Sequence, residues 1–211
     1  MWERKKLAAM REIQRTALDL FEADGYRHVT VERVAEAARV SPSSVYRYFG
    51  TKEMLVLWDE YDPQILDLIR TGGGDWRMSA AELRSAVLVG GTMLVERMLS
   101  DPGEEELTKR RYRIVGSEPD VRVGQMRLVA EMEGHIRRLL VERITGIDEF
   151  TARFAAAQAT WGFSAAVDHW LETDFADPLG DILRRTIDYI DRALAGVLVT
   201  DQPNTTSQTA T

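Results

Sequence analysis

The stretch that decides the fold runs from Thr30 to Lys52 and reads TVERVAEAARVSPSSVYRYFGTK. Thr30 is a favourable N-cap for a short helix, whose apolar positions repeat at three- and four-residue spacing. Ser41 is an N-cap for a second helix, and Pro42 follows at the first helical position, where the missing N–H costs nothing. Two short helices joined by a tight turn predict a helix-turn-helix.

The second of these helices has two faces of different chemistry. Val45 and Phe49, four residues apart, form an apolar rear face. In a helix-turn-helix, the second helix enters the major groove of DNA, and side-chain donors read bases and phosphates there. The front face is rich in hydroxyl groups, aromatic rings and positive charge: Ser43, Ser44, Tyr46, Arg47 and Tyr48. This face predicts DNA binding, with Arg47 suited to a guanine and Lys52 to a phosphate.

Residues 34–55, VAEAARVSPSSVYRYFGTKEML, resemble the signature of the tetracycline-repressor-like (TetR) family. That signature has an Ala pair, Gly-Val-Ser, Tyr-x-Tyr-Phe and Lys-Glu-x-Leu. The resemblance implies an all-α regulator with an N-terminal three-helix DNA-binding domain and a larger helical domain for effector binding and dimerisation. Transferred by position, it implies DNA contacts from these residues: Thr30, Ser43, Ser44, Tyr46, Arg47, Tyr48 and Lys52.

The sequence departs from the family pattern at two positions in the turn. Arg39 stands where the family usually has Gly, at a position that favours a left-handed backbone. We expect a cost on the order of 1 kcal/mol there, unless the Arg39 guanidinium gains a DNA phosphate. Pro42 replaces a frequent polar or basic contact residue. These departures leave the fold prediction unchanged, but the operator sequence cannot be read from the chain.

Composition narrows the class of protein. The chain has 211 residues, 45% hydrophobic and 29% charged, with a formal net charge of −7 and no cysteine. No apolar run approaches the roughly 20 residues of a membrane span, and the charged first residues do not resemble a secretory signal. We therefore expect a cytoplasmic protein. Residues 27–52 carry five basic and two acidic residues, so a modestly basic head is attached to an acidic body.

The remaining sequence predicts helices. We divide the chain into a DNA-binding domain over 1–58, an effector-binding and dimerisation domain over 59–199, and a disordered tail over 200–211. Gly72–Gly74 predicts a flexible loop, and Ser79 with Glu82 predicts a capping box that opens a helix ending near Ser100. Further helices are expected at 104–115, 119–144, 148–173 and 178–198.

The last two helices, at about 148–173 and 178–198, are the predicted homodimer interface. The first has aromatic residues on one side and alanines on the other, so it is apolar all round, as a helix buried on both sides is. The second carries an apolar stripe: Leu179, Leu183, Ile187, Ile190, Leu194 and Val197. With a second copy they would form a four-helix bundle; the alternative is an ordinary intramolecular core.

Regulators of this family usually hold a small molecule among the middle helices, and an apolar or amphipathic acid is our expectation. An effector pocket combines apolar walls with a few polar groups. The candidate contacts are Met93, Arg97, Tyr112, His135, Gln158 and Trp161. Each has an alternative: His135 as a satisfied core histidine, Arg97 in an ion pair, and Met and Trp residues as packing. Arg110, Arg111 and Arg113 are interpreted as a solvated charged face.

The working hypothesis is a repressor that binds double-stranded operator DNA as a homodimer and is released by an effector. An activator or an effector-independent regulator fits the sequence equally, because sequence does not encode the output. A helical interaction protein that has lost DNA binding is another alternative. An enzyme is disfavoured, since the three histidines are far apart and no HExxH, P-loop, GxGxxG or GxSxG motif occurs. We expect no catalytic residue, metal or cofactor.

Overall fold

In the computed structural model, residues 2–59, 79–101 and 103–198 are described, and the regular elements in these ranges are helices. The head contains α1 (Trp2–Asp24), a 3-10 turn (Tyr26–His28), α2 (Val31–Ala37), α3 (Pro42–Phe49) and α4 (Met54–Leu57). The body contains α5 (Ala80–Leu99), α6 (Glu104–Ser117), α7 (Pro119–Arg143), α8 (Glu149–Glu172) and α9 (Leu179–Leu198). The prediction of an all-α fold with an N-terminal helix-turn-helix is confirmed.

Capping residues explain where several helices begin. The Ser79 hydroxyl accepts a hydrogen bond from the Glu82 N–H, and the Glu82 carboxylate accepts one from the Ser79 N–H, so the predicted capping box is present. Pro119 occupies the first turn of α7, where no donor is lost. Helix α4 begins at Met54, and residues 51–53 before it form bends and a turn.

The core of the head continues into the body. Ile13, Leu18 and Leu55 are almost completely buried. The same cluster includes Ile114 and Val115 from α6 and Val121 from α7. The head is therefore seated on α6 and on the start of α7.

Two further clusters form the body. One joins α7, α8 and α9 around Ile136, Ala155 and Ile190. The other joins α5, α8 and α9 around Trp170, whose indole N–H donates to the Asp177 carbonyl at 2.8 Å. Helix α8 thus packs on its neighbours through only one of its sides.

Some expectations fall elsewhere in the chain. The predicted loop at Gly72–Gly74 and the predicted tail at 200–211 lie outside the described residues. Within the described ranges, no helix has both the length and the hydropathy needed to cross a bilayer.

Candidate nucleic-acid interface and dimer face

Local capping sets the start of both helices of the helix-turn-helix. The Thr30 hydroxyl oxygen accepts from the Arg33 N–H at 3.2 Å, which fixes the start of α2. The Ser41 hydroxyl oxygen accepts from the Ser44 N–H at 3.2 Å, and Pro42 occupies the first turn of α3. Both predicted caps are present, so the two helices begin where the sequence places them.

The turn between α2 and α3 has a left-handed residue. Arg39 has φ of 56°, a region that costs a residue with a Cβ on the order of 1 kcal/mol or more. The next residue is held in place because the Val40 N–H donates to the Ala35 carbonyl at 2.9 Å. The predicted conformation at Arg39 is therefore present, and its side chain is exposed beside the start of α3.

Helix α3 is held by its rear face and exposed on its front. The side chains of Val45 and Phe49 are 1% and 6% exposed, within the core of the head. Ser43, Tyr46 and Arg47 are exposed on the other side. The helix is therefore anchored by apolar packing while its hydrogen-bonding groups face outward.

On the front face, Tyr46 and Arg47 make only long contacts, whereas the Ser43 and Ser44 hydroxyls each lie 2.9 Å from the Ser41 hydroxyl. The Tyr46 hydroxyl is 3.4 Å from a Glu32 carboxylate oxygen. The Arg47 guanidinium lies 3.4 Å from the Ser44 hydroxyl, 3.3 Å from the Tyr48 hydroxyl and 4.9 Å above the Tyr48 ring. No carboxylate pairs with Arg47 in the part of the chain that is described. Tyr46 and Arg47 can exchange these long contacts for phosphate oxygens or base edges at little cost.

Lys52 lies closer to the protein than a purely surface lysine. Its ammonium donates to the Tyr26 carbonyl at 2.6 Å and lies 4.2 Å from the centre of the Tyr26 ring. Partial burial lowers the pKa of Lys52, although Glu53 and Glu118 oppose that shift. This contact ties the segment after α3 to the turn that follows α1.

Four of the six predicted effector residues are spread over three helices of the body, α5, α6 and α7. Met93 is 64% exposed on α5, and Arg97 is exposed one turn further along. Tyr112 is half-buried where two of the core clusters meet. His135 is exposed on α7, and its Nδ1 lies 2.9 Å from the carbonyl oxygen of Glu131, four residues earlier. The alternative interpretation of His135 as a core histidine is wrong, because the ring lies on the surface.

The other two predicted effector residues, Gln158 and Trp161, line one groove between α8 and α9. The groove has a volume of about 620 Å³. The Trp161 indole N–H donates to a Glu133 carboxylate oxygen at 3.2 Å. The Gln158 side-chain oxygen is shielded from solvent, and no donor from the described residues reaches it. The structure thus brings these two residues together but separates them from the other four.

One side of α8 exposes aromatic rings. Phe150 is 75% exposed and Phe154 48% exposed, and their rings stack with centroids 6.2 Å apart. Trp161 and, on α9, Tyr189 extend the same apolar surface. On the other side, Ala152 and its neighbouring alanines are buried against the chain's own helices. The sequence correctly separated these two sides of α8.

The apolar stripe of α9 is part of the chain's own core. Leu179, Leu183, Ile187, Ile190 and Leu194 are each less than 9% exposed within the clusters that α9 forms with α5, α7 and α8. The assignment of this stripe to a partner copy is therefore wrong. A periodic stripe shows that one helix face is buried, but not which chain buries it.

Two arginines join the head to the body, and the interpretation of them as solvated is wrong. The Arg111 guanidinium is buried and donates to the Val56 carbonyl at 2.8 Å, the Leu57 carbonyl at 3.2 Å and the Asp59 carboxylate at 2.9 Å. Arg110 reaches carboxylates of α1. A signal was present, because Arg111 shares the buried face of α6 with Thr108, Ile114 and Val115.

Comparison with known proteins fits this architecture. The family model for bacterial regulatory proteins of the tetR family matches residues 13–57, and that for the MftR C-terminal domain matches residues 92–195. The HTH-type transcriptional regulator TcmR of Streptomyces glaucescens is 30% identical over 163 residues, which cover 74% of this chain and 70% of TcmR. The chain belongs to the TetR family. It is therefore a transcriptional regulator with a DNA-binding helix-turn-helix, and membership of this family implies a protein that is not an enzyme.

Two other TetR-family proteins extend the comparison. MftR of Mycobacterium tuberculosis, named for the transcriptional regulation of mycofactocin biosynthesis, is 24% identical, and the alignment covers 81% of this chain and 84% of MftR. The crystal structure of a TetR-family regulator from Streptomyces coelicolor A3 superposes with a TM-score of 0.56 at 21% identity. That superposition covers 90% of this chain and 95% of the other, so the two share a fold.

Proposed function

We propose that this TetR-family chain is a repressor that binds operator DNA as a homodimer and releases it when a small molecule binds the body. The exposed donor face of α3 carries the DNA-binding part of the proposal. The residues proposed to contact DNA are Thr30, Arg39, Ser43, Ser44, Tyr46, Arg47, Tyr48 and Lys52.

The roles of these residues differ with their position. Arg47 is exposed without an ion-pair partner among the described residues, so it is free to pair with a base edge such as guanine. Arg39 is exposed in the turn before α3 and is suited to a phosphate, which would compensate its left-handed backbone. Lys52 keeps its hydrogen bond to the Tyr26 carbonyl and offers its positive charge to a DNA phosphate.

Dimerisation is supported by the apolar side of α8. Phe150, Phe154 and Trp161 expose aromatic surface along one side of α8. Clustered apolar residues on a protein surface mark interaction sites. Two heads in one dimer bind two half-sites about one DNA turn apart, which raises affinity and specificity together. The proposed interface therefore uses α8 and the exposed residues of α9.

The effector proposal rests on the body. Arg97 is exposed and has no ion-pair partner among the described residues, and Met93 exposes an apolar side chain one turn away on the same helix. A guanidinium beside apolar surface suits an amphipathic acid. Tyr112 lies where the head core meets a body core, so a ligand that moved Tyr112 would act on both. His135, Gln158 and Trp161 are less suited to this role, because they lie on the surface of α7 or in the α8–α9 groove.

The test is binding to the chain's own promoter fragment across a salt series. A dimer that neutralises phosphates loses affinity linearly as the logarithm of salt concentration rises. We expect sequence-selective binding by a dimer, and release when fatty or aromatic carboxylic acids are added. Binding that is equal on promoter and random DNA at every salt concentration would contradict the regulator's proposed operator, and indifference to the acids would contradict the effector class.

A further inference from the structure

The side of α8 that faces away from its own chain changes in size along its length. Near its start it carries Phe150 and Phe154, which are 75% and 48% exposed. Further along α8, the row of residues four apart that starts at Phe150 and Phe154 winds round the helix to Gly162 and Ala166, and these two line the α8–α9 groove together with Ala165 and the Trp161 ring. One end of this helix face therefore projects, and the other end is recessed.

Gln158 lies at the centre of this arrangement. It is four residues from both Phe154 and Gly162, and eight residues from both Phe150 and Ala166. Its side-chain oxygen is shielded from solvent and receives no hydrogen bond from the described residues, although buried amide oxygens are normally paired. Gln158 thus lies midway between the projecting and the recessed ends, and its side-chain oxygen has no hydrogen-bond donor among the described residues.

Two-fold symmetry makes these features complementary. In a two-fold dimer both copies use the same patch, so a residue on the axis meets its own copy, and residues equally far from the axis on opposite sides meet each other. Two antiparallel α8 helices centred on one residue would bring the projecting end of each against the recessed end of the other. The groove of about 620 Å³ falls in the range that holds a drug-sized molecule, so phenyl rings fit within it.

Charge favours the same antiparallel arrangement. Asp148 and Glu149 place two carboxylates at the start of α8. The far end of the groove is lined by His169 and Arg185, and the exposed Arg185 guanidinium lies 3.7 Å from the Asp177 carboxylate. Antiparallel packing brings the carboxylates at the start of one α8 toward Arg185 of the partner subunit, although Glu149 and Arg185 also pair within their own chain, with Arg137 and Asp177.

We propose that the two-fold axis of the homodimer passes at Gln158, with Phe154 packed against Gly162 of the partner subunit and Phe150 against Ala166 of the partner subunit. The two Gln158 amides then hydrogen-bond to each other, each NH2 donating to the other side-chain oxygen after rotation of the amide. This proposal rests on the proposed dimer and specifies its register. The occupant of the α8–α9 groove is accordingly a second copy of this chain.

Cysteine cross-linking tests the register directly, because the chain contains no cysteine of its own. A disulfide requires Cα atoms no more than about 7 Å apart, so a single cysteine links to its own copy only near the two-fold axis. We expect mild oxidation to convert Gln158→Cys to a covalent dimer. Phe154→Cys alone and Ala165→Cys alone should remain unlinked, as should Arg153→Cys, an exposed control on the same helix.

A second experiment, which combines two different cysteine variants in one dimer, tests the register even if the Gln158→Cys variant does not dimerise. Phe154→Cys and Gly162→Cys copies, carrying tags of different mass, should form a mixed disulfide when refolded together. A Cβ at Gly162 meets only ordinary contacts, with Ile190 side-chain atoms at 3.7 and 4.0 Å, so this substitution is tolerated.

Light scattering of the reduced variants separates the two levels of the proposal. Monomers, for the variants and for the unmodified chain, would contradict the dimer itself. Dimers that link through Trp161→Cys or Phe154→Cys, but not through Gln158→Cys or the mixed pair, would overturn this register and leave the dimer standing. Dimers that link at none of these positions would show that another face is used.

Discussion

The exposed faces of α3 and α8 differ in chemistry although both are anchored in the same way. Each helix packs its rear on the chain's own core, through Val45 and Phe49 in α3 and through Ala152 and Ala155 in α8. The front of α3 then presents hydroxyl groups and a guanidinium, which water solvates well. The front of α8 presents phenyl and indole rings, which water solvates poorly.

This difference indicates when each face is covered. A polar face can stay in water until DNA arrives, and its affinity depends on salt because phosphate binding releases counterions. Exposing an apolar face to water instead of burying it costs free energy, about 25 cal/mol per Å². We therefore expect the α8 face to be covered permanently and the α3 face only on the operator.

The largest effect should follow from charging the apolar face. Phe150→Asp with Phe154→Asp places up to four carboxylates in a dimer interface, where unpaired charges are strongly disfavoured. We expect monomers by light scattering, and at least about 100-fold weaker operator binding because the gain from two linked heads is lost. Val123→Asp, at an apolar residue 57% exposed on α7, is the matched control and should stay dimeric. If the double variant is still a dimer, α8 is not part of the interface.

The polar face should respond in the opposite way. Arg47→Ala with Tyr48→Ala removes a base contact of about 1–3 kcal/mol and a neighbouring hydroxyl, so we expect operator affinity to fall roughly 10- to 100-fold. The mass of the dimer should not change. Arg127→Ala removes an exposed positive charge from α7 and serves as the control in the same gel-shift titration. Equal losses in the two variants would mean that α3 does not read the operator.

Substitutions at the junction between head and body should lower the free energy of unfolding. Arg111→Met leaves the Val56 and Leu57 carbonyls and the Asp59 carboxylate without this guanidinium, and we expect about 2–3 kcal/mol lower free energy of unfolding in urea. Arg110→Met removes ion pairs to more exposed carboxylates of Asp19 and Glu22, which are 69% and 45% exposed. It should cost about 1 kcal/mol or less. Equal costs would show that Arg111 does not brace the junction.

The smallest effect should come from the turn. Arg39→Gly relieves the left-handed backbone at φ 56° but adds freedom to the unfolded chain, so we expect a net gain below about 1 kcal/mol in thermal unfolding. Operator binding should weaken nevertheless, because the proposed phosphate contact is lost. A variant that is more stable and binds the operator as tightly as before would show that Arg39 contacts no phosphate.

The sequence predicted the head well because its determinants are local. Thr30, Ser41 and Pro42 act within one turn of themselves, and Val45 and Phe49 define a rear face by spacing alone. The helix bounds in the body were predicted closely for the same reason: α8 was expected at 148–173 and spans Glu149–Glu172.

Long-range contacts were not readable in the same way. Nothing near Arg111 in sequence shows that its guanidinium reaches carbonyls more than fifty residues earlier. The stripe of α9 indicated burial but not the burying chain. The candidates Met93, Arg97 and His135 lie on two different helices, and spacing along the sequence does not show whether α5 and α7 bring their side chains into one pocket.

A hydroxyl-radical footprint on an operator selected from the chain's own promoter would show whether the apolar face of α8 pairs two α3 faces on DNA. We expect two protected patches, centred about 34 Å apart along one side of the duplex and related by a dyad. Both patches should disappear with Phe150→Asp and Phe154→Asp, although α3 is unchanged in that variant. A single patch, or two patches that persist in the variant at the same protein concentration, would contradict the claim that the apolar face of α8 pairs two α3 faces on DNA.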